Sequence, residues 1–168
     1  MSSLVKALSA IGTGLFAANA AEPLAVGAKL PQASQKNQEG VSLTLTEAGA
    51  SGWLLVYFYP KADTPGCTKQ ACSLRDAFAT LTEKGVKVLG VSTDSTKAQK
   101  AFREKYQLPF DLLADEDSII VKAFGVPTTL GFAKRQAFLF KDGVLAWVDL
   151  SASTEEQAAD VLKFIETK

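Results

Sequence analysis

The 168-residue chain has the length of one ordinary domain. Apolar residues make up 47% of it and charged residues 21%, a mixture that can bury a core and argues against disorder. Lysine plus arginine and aspartate plus glutamate number 18 each, so the chain lacks the basic excess expected of a nucleic-acid-binding protein. It contains no histidine, which excludes Ser-His-Asp triads, Cys-His pairs and His-ligated zinc or haem. Any catalysis must use the two cysteines, carboxylates, lysine, arginine, hydroxyls and backbone groups.

The first 20 residues have the pattern of a secretory signal peptide. Lys6 precedes a mostly small, apolar stretch from Ala7 to Ala18, and Ala18-Asn19-Ala20 offers a small-x-small cleavage site. The apolar stretch is shorter than the ~20 residues that a membrane-spanning helix needs. We therefore expect cleavage after Ala20, a mature domain over residues 21–168 that is not bound to a membrane, and location in the periplasm or another exported compartment. An uncleaved leader would leave the protein in the cytoplasm.

The rest of the chain alternates between predicted strands and helices. Trp53–Tyr59 is a continuous apolar run between Gly52 and Pro60, which predicts a central strand buried on both faces. Before the central strand we predict an irregular or extended segment over 27–40 and an edge strand over Val41–Thr46. After it we predict a long helix over 66–84 that ends at Gly85, a buried strand over Val86–Thr93, a helix over 95–106, a short strand over 110–114 and a short helix over 117–124. The chain then continues with a loop over 125–134, a hairpin of Gln136–Lys141 and Val144–Leu150 around Asp142-Gly143, and an amphipathic helix over 154–167. This order predicts an α/β fold with a mixed central sheet and helices on both faces.

Cys67 lies where the predicted central strand gives way to the long helix. Thr64 suits the N-cap position of that helix and Pro65 its first position, so Cys67 falls in the first turn. Free backbone N–H groups and the helix dipole at this end favour a thiolate, which is the reactive form of cysteine. A small buried side chain is the alternative role of a lone cysteine. The loop with proline and glycine before Cys67 favours the reactive thiol.

Cys72 is the second thiol, five residues after Cys67. On one ideal helix the two residues are about 140° apart around the axis and about 7.5 Å apart along it, whereas a disulfide needs Cα atoms about 4.4–6.8 Å apart. Two alternatives follow: a static disulfide replaces this helical turn, or the start of the helix unwinds in a redox cycle. The C-x₄-C spacing does not match the C-x-x-C pair of disulfide oxidoreductases. Two cysteines without histidine disfavour a zinc site.

The stretch YFYPKADTPGCTKQACSLRD (Tyr57–Asp76) resembles the active-site segment of the peroxiredoxins. Within that family it is most similar to the bacterioferritin-comigratory or Q-type subfamily, and the likeness extends over most of residues 24–168. Pro60, Thr64 and Cys67 match the family's P-x-x-x-T-x-x-C pattern. The resemblance implies a thioredoxin-like fold.

The resemblance also implies a function and a set of site residues. The protein would be a thioredoxin-dependent peroxidase that reduces hydrogen peroxide and organic hydroperoxides, with Cys67 as peroxidatic and Cys72 as resolving cysteine. Cys67 would form a sulfenic acid and then a disulfide with Cys72, which a thioredoxin-type dithiol protein would reduce. The family's essential arginine maps to Arg135, which with the Thr64 hydroxyl and the Cys67 N–H would donate hydrogen bonds to the peroxide oxygens, while Pro60 shields the sulfur from bulk water. No metal, flavin or haem cofactor is required, and a monomer is favoured.

Three features depart from the family pattern. Gln70 stands where many members have glutamate, so an anionic partner for Arg135 is in doubt. The loop over 125–134 is shorter than usual, and the predicted export contrasts with a mostly cytosolic subfamily. Two other functions remain open: a thiol–disulfide exchange protein without peroxidase activity, which would not need Thr64 or Arg135, and a non-enzymatic exported domain in which a Cys67–Cys72 disulfide is only structural.

Overall fold

The computed structural model describes residues 22–168, so the predicted signal peptide over residues 1–20 lies outside the described residues. The strands are β1 (Ser34–Asn37), β2 (Ser42–Thr44), β3 (Trp53–Phe58), β4 (Val86–Ser92), β5 (Asp111–Ala114), β6 (Thr128–Thr129), β7 (Phe132–Ala133), β8 (Gln136–Lys141) and β9 (Val144–Asp149). The helices are α1 (Leu45–Ala48), α2 (Pro65–Asp76), α3 (Phe78–Glu83), α4 (Thr96–Tyr106), α5 (Ile119–Ala123) and α6 (Gln157–Glu166). Over residues 22–168 none of these helices combines the length and the apolar character needed to cross a membrane.

Seven of the strands form one mixed sheet in the order β2-β1-β5-β4-β3-β8-β9. The central strand β3 pairs in parallel with β4 on one side and antiparallel with β8 on the other. At the carboxyl end of β3, Phe58 lies opposite Val91 of β4 and Gln136 of β8. The loop after β3 and the residue before β8 therefore meet at the same edge of the sheet, and the prediction of a mixed central sheet is confirmed.

The apolar side chains of β3 divide the core between the two faces of the sheet. Leu55 and Tyr57 point to one face, where they pack with buried residues of α2, α3, α4 and α6. Leu54, Val56 and Phe58 point to the other face, which α1 and α5 cover. Each fully buried side chain of this size contributes about 1.5–3 kcal/mol relative to exposure. The two cores on either side of the sheet thereby fix the position of β3 and of the loop that follows it.

The hairpin that joins β8 to β9 forms at the predicted Asp-Gly pair. Asp142 and Gly143 have φ angles of 48° and 76°, as the two central residues of a type I′ turn require. The Asp142 carboxylate also accepts a hydrogen bond from the Gly52 N–H at 2.7 Å. The predicted strands on both sides of the turn are confirmed.

Several of the predicted boundaries are wrong. The helix expected over 66–84 is divided at Ala77 into α2 and α3, although no proline or glycine marks the break. The expected loop over 125–134 contains the hairpin β6–β7, whereas β1 forms the extended part of the segment predicted to be irregular or extended. Helix α6 starts at Gln157 instead of residue 154, because the Ser153 hydroxyl accepts the N–H groups of Glu155 and Glu156 in a preceding turn.

Candidate active site

Cys67 lies in the first turn of α2, directly beyond the carboxyl end of the central strand. Thr64 is the N-cap residue, with the extended backbone angles φ −93° and ψ 156°, and Pro65 is the first helical residue. The first N–H groups of a helix have no partner within the helix, and the dipole adds partial positive charge there. Cys67 is only 2% exposed, so its sulfur lies in a mostly desolvated pocket at this positive end.

The Arg135 guanidinium lies against the Cys67 sulfur. Its Nη2 donates to Sγ across 3.5 Å, and Arg135 is held there because it directly precedes β8, the antiparallel neighbour of β3. Gly66 leaves space for this approach, since a Cβ at that position would lie 3.2 Å from Arg135 Nη2. The guanidinium therefore offers its donors and its positive charge directly at the sulfur. The structure thus brings together Cys67 and Arg135, which are 68 residues apart in sequence.

The other side of the guanidinium contacts a neutral side chain. Arg135 Nη1 donates to Gln70 Oε1, and Gln70 Nε2 donates to Gln157 Oε1 at 2.9 Å. Gln70 and Gln157 are 0% and 1% exposed. The amide oxygen of Gln70 therefore takes the place that a carboxylate would occupy beside Arg135. Sequence reasoning singled out Gln70 but missed Gln157, which reads as an ordinary polar residue of an amphipathic helix.

The Thr64 hydroxyl was expected to donate a hydrogen bond to the peroxide oxygens, but it donates within the protein. It donates to the Lys61 carbonyl oxygen at 2.7 Å and caps no N–H group of α2. Thr64 therefore is not a free donor; its lone pairs are available to accept a hydrogen bond, and the N–H groups at the start of α2 stay unoccupied by it. Pro60 is half-buried at the start of the same loop and, as a proline, brings no N–H donor.

The carboxylates of Asp94 and Asp63 connect this loop to β4 and α4. Asp94 Oδ2 accepts from the Ala62 N–H at 2.8 Å and from the Ser92 hydroxyl at 2.7 Å. Asp63 has a left-handed φ of 57°, and its carboxylate accepts from the Tyr106 hydroxyl at 2.6 Å and from the Lys105 ammonium at 2.9 Å. Hydrogen bonds from Tyr106 and then from Lys105 lower the pKa of Asp63. Sequence reasoning missed these partners because only the fold brings α4 to the loop.

Cys72 lies on the same intact helix as Cys67. Both thiols are free; Cys67 is buried and Cys72 is half-buried. Because α2 is continuous through Pro65–Asp76, the two cysteines keep the helical separation that is too large for a disulfide. Cys72 instead lines a groove of about 620 Å³ between α2 and α6, together with Lys69, Ser73 and Glu155. A static disulfide in place of this helical turn is not what this structure contains.

Residues 22–168 contain no group of three or more histidine, cysteine, aspartate or glutamate side chains arranged to hold a metal ion. What the site offers chemically is a desolvated sulfur nucleophile with two kinds of fixed donor around it, the guanidinium of Arg135 and the N–H groups of α2.

Comparison with known sequences identifies relatives over most of the chain. Residues 26–148 match the AhpC/TSA family. The chain is 46% identical over 101 residues to a putative peroxiredoxin Bcp of Coxiella burnetii. This alignment covers 60% of this chain and 66% of that protein. It is 37% identical over 145 residues to the chloroplastic peroxiredoxin Q of Gentiana triflora. That alignment covers 84% of this chain and 66% of the relative. The chain thus spans just under two thirds of the length of these two curated relatives.

Solved structures of similar shape come from the same group. The peroxidoxin BcpB of Mycobacterium tuberculosis has a TM-score of 0.79 and 30% identity, over 84% of this chain and 96% of that one. The bacterioferritin comigratory protein of Xanthomonas campestris, known for alkyl peroxide reduction, has a TM-score of 0.77 and 28% identity, over 85% of this chain and 98% of that one. The predicted thioredoxin-like fold is confirmed by this likeness. The chain belongs to the AhpC/TSA family and, within it, to the group of Q-type or bacterioferritin-comigratory peroxiredoxins.

Proposed function

We propose that this protein is a thiol-dependent peroxidase that reduces hydrogen peroxide and organic hydroperoxides. The single observation that carries the proposal is the contact of Arg135 Nη2 with Cys67 Sγ at the start of α2. A buried sulfur between a guanidinium and free N–H groups is an activated nucleophile, and the same donors suit the negative charge that develops on oxygen as an O–O bond breaks. Family membership supports the same reaction.

The first step is attack of the Cys67 thiolate on one oxygen of the hydroperoxide. The S–O bond forms as the O–O bond breaks, and the departing oxygen takes a proton and leaves as water or an alcohol. Cys67 is oxidised to a sulfenic acid, and the peroxide is reduced by two electrons. Arg135 and the Cys67 N–H donate to the oxygens, while the Thr64 hydroxyl, whose proton is directed to the Lys61 carbonyl, accepts the O–H of the incoming peroxide. Pro60 forms part of the wall around the sulfur.

The second step joins the two cysteines. The Cys72 sulfur attacks the sulfenic sulfur of Cys67, a disulfide forms and water leaves. Because the cysteines lie too far apart on the intact α2, the helix between them has to unwind for this step. A thioredoxin-type dithiol protein then transfers its two hydrogens to the disulfide and restores both thiols. If the N-terminal segment directs export, this reductant works in the periplasm or an equivalent compartment, and we expect the enzyme there to act as a monomer.

Rapid mixing of the reduced protein with hydrogen peroxide, followed by recycling with thioredoxin and its reductase, tests the proposal. Cys67→Ser should abolish peroxide consumption, because it removes the nucleophile. Cys72→Ser should keep the first turnover but stop recycling by thioredoxin and increase overoxidation of Cys67. Peroxide consumption that survives Cys67→Ser would contradict the proposal. Disulfide exchange with thioredoxin in the absence of any peroxide consumption would instead favour the thiol–disulfide exchange protein.

A further inference from the structure

Gln157, the first residue of the C-terminal helix α6, lies one side chain away from the guanidinium that contacts Cys67. Its Oε1 accepts from Gln70 Nε2 at 2.9 Å, and Gln70 Oε1 accepts from Arg135 Nη1. Both glutamine side chains are buried. A chain of hydrogen bonds therefore runs from α6 through α2 to Arg135, whose other nitrogen faces the Cys67 sulfur.

The polarity of this chain depends on Gln157. A guanidinium only donates hydrogen bonds, so Gln70 has to present its oxygen to Arg135 and its NH₂ group elsewhere. If the Gln70 amide turned over, its NH₂ group would face the donors of Arg135, and a buried donor would be left unpaired, which is unfavourable. The Gln157 oxygen is the acceptor that holds the NH₂ group on the correct side. A glutamate at position 70 would not need this partner, because both ends of a carboxylate accept.

The Gln157 amide also carries an unpaired donor, which restricts its own orientation. Its Nε2 is buried and has no hydrogen-bond partner within residues 22–168. Turning the Gln157 amide over would place this nitrogen against Gln70 Nε2, which replaces one unpaired donor by two. Gln157 is therefore confined to the orientation in which its oxygen faces Gln70, although its own nitrogen remains unpaired.

The backbone around Gln157 is also tied to α2. The Ser73 hydroxyl donates to the Glu155 carbonyl oxygen at 2.8 Å, and the Lys69 ammonium contacts the Glu155 carboxylate at 3.1 Å. The Ser153 hydroxyl accepts the N–H groups of Glu155 and Glu156, each at 3.1 Å. These contacts connect the turn that precedes α6 to α2, and the Gln157 side chain enters the core beside Gln70.

We infer that Gln157 is a positioning residue for the reaction at Cys67, acting through the Gln70 amide to set the guanidinium of Arg135 beside the sulfur. This inference rests on the proposed peroxidase function for its consequence, but the arrangement itself bears on the reactivity of Cys67 toward any electrophile. Loss of the Gln157 acceptor leaves Gln70 free to turn over, and the guanidinium then loses its fixed contact with the thiolate.

The test compares Gln157→Met in two backgrounds. Methionine has nearly the same length as glutamine and suits a buried position, so folding is expected to survive. The readout is the rate of iodoacetamide alkylation of Cys67 at a fixed pH, measured in Cys72→Ser so that a single thiol reacts. Gln157→Met should slow this alkylation several-fold, because the guanidinium is no longer held beside the sulfur. It should also slow the first reaction with hydrogen peroxide about tenfold, since the donor is no longer aligned.

The second background is Gln70→Glu, in which the carboxylate binds Arg135 whichever way it turns. Adding Gln157→Met to Gln70→Glu should change the alkylation rate and the peroxide rate by less than about twofold, so the two positions should be coupled. Equal effects of Gln157→Met in both backgrounds, or no effect in either, would overturn the inference. If Gln157→Met fails to fold, Gln157→Glu, which keeps an acceptor, should retain the native alkylation rate, and a loss of that rate would overturn the inference.

The readouts separate this inference from the proposed function. A protein that consumes no peroxide, but in which Gln157→Met slows alkylation only when Gln70 is present, would contradict the peroxidase and keep Gln157 as a positioning residue. A protein that consumes peroxide, but in which Gln157→Met does not slow alkylation, would contradict the role of Gln157 and keep the peroxidase.

Discussion

The guanidinium of Arg135 reaches the start of α2 because residue 66 has no side chain. A Cβ at Gly66 would lie 3.2 Å from Arg135 Nη2 and 3.7 Å from the Thr154 methyl group. Gly66 lies within the helix and has no left-handed φ, so alanine there would favour the helix by roughly 0.5–1 kcal/mol. The glycine is therefore explained by the space that the cation needs and not by its backbone conformation.

Gly66→Ala should separate stability from reactivity. We expect an unchanged or higher free energy of unfolding, but a reaction with hydrogen peroxide about 3–10-fold slower, because a shift of a few tenths of an ångström misaligns the donor. Urea unfolding and stopped-flow kinetics measure the two quantities. Thr68→Ala is the matched control, since it shortens a neighbouring side chain of α2 and adds no atom near Arg135. A Gly66→Ala variant that reacts as fast as the native protein would show that Arg135 has room to spare.

Asp63 gives the loop before α2 a stability that depends on pH. Tyr106 and Lys105 lower the pKa of its carboxylate, so its stabilisation is present above the unfolded value of about 3.9 and is lost as pH falls through the lower folded pKa. Asp63→Asn keeps a residue that tolerates the left-handed φ and removes the charge. Thermal unfolding should show a lower midpoint for Asp63→Asn at pH 7 and a smaller difference at about pH 3, below the unfolded pKa. An equal difference at both pH values would exclude this electrostatic cause.

Helix α2 is anchored at both ends and held along its length by α6. The hydroxyl of Tyr106 donates to Asp63 ahead of the helix, and its carbonyl oxygen accepts from Arg75 Nη1 at 2.8 Å near the end of the helix. Between these anchors lie both cysteines and the contacts of α2 with Glu155 and Gln157. The unwinding that we propose for disulfide formation would therefore break the contacts with α6, while the anchors to α4 can persist.

Amide hydrogen exchange in the reduced and oxidised forms should reveal this division. We expect exchange over residues 66–74 to become faster on oxidation, because the helix unwinds to join Cys67 to Cys72. The Ala62 N–H, bound to Asp94 Oδ2 at 2.8 Å, should keep its protection and serves as the internal control. Identical exchange over 66–74 in both forms would contradict the unwinding. Loss of protection at Ala62 as well would show that the whole loop, and not only α2, rearranges.

The elements that the sequence predicted correctly are those whose local pattern agrees with the fold. The apolar run of β3 and the Asp142-Gly143 turn are of this kind. Strand β1 was predicted only as part of an irregular or extended segment, because its polar side chains give no alternation. It is held between β2 and β5, and Gln35 donates to Asp115 Oδ1 at 2.9 Å. The break at Ala77 has no local signal either, and coincides with the packing of the Phe78 ring on Phe110 at 6.0 Å.

The candidate site was predictable only as far as its motif extends. Thr64 and Cys67 follow from the turn between strand and helix, and Arg135 from the family resemblance. The partners that the fold brings from distant elements could not be read from the chain, because an isolated Gln157 or Asp94 looks like any polar surface residue. Burial distinguishes Gln157 and the hydrogen bond from the Ala62 N–H distinguishes Asp94, and both are properties of the packed molecule.

The face of the sheet that carries the site also contains a pair of buried phenols. The Tyr57 and Tyr59 rings stack with centroids 5.5 Å apart, in the same core cluster as Cys67. Burial raises the pKa of both tyrosines well above the usual value of 10. The Tyr59 hydroxyl donates to Gln99, whereas the Tyr57 hydroxyl is buried without a hydrogen-bond partner among residues 22–168. Because burial keeps both phenols protonated in the folded protein, the free energy of unfolding depends on pH in the alkaline range.

The sign of that linkage follows from the unfolded chain. Tyrosines whose folded pKa is raised contribute full stability below pH 10, and lose it as pH rises above 10, because only the unfolded state then releases their protons. Each tyrosine lowers the free energy of unfolding by about 1.4 kcal/mol per pH unit in that range, and the pair by about 2.8 kcal/mol. Urea unfolding at pH 9, 10 and 11 measures the slope. Tyr57→Phe should halve this contribution and, by removing an unpaired buried hydroxyl, raise stability at pH 7 by about 1 kcal/mol. An unchanged alkaline slope in Tyr57→Phe would mean that Tyr57 ionises in the folded protein.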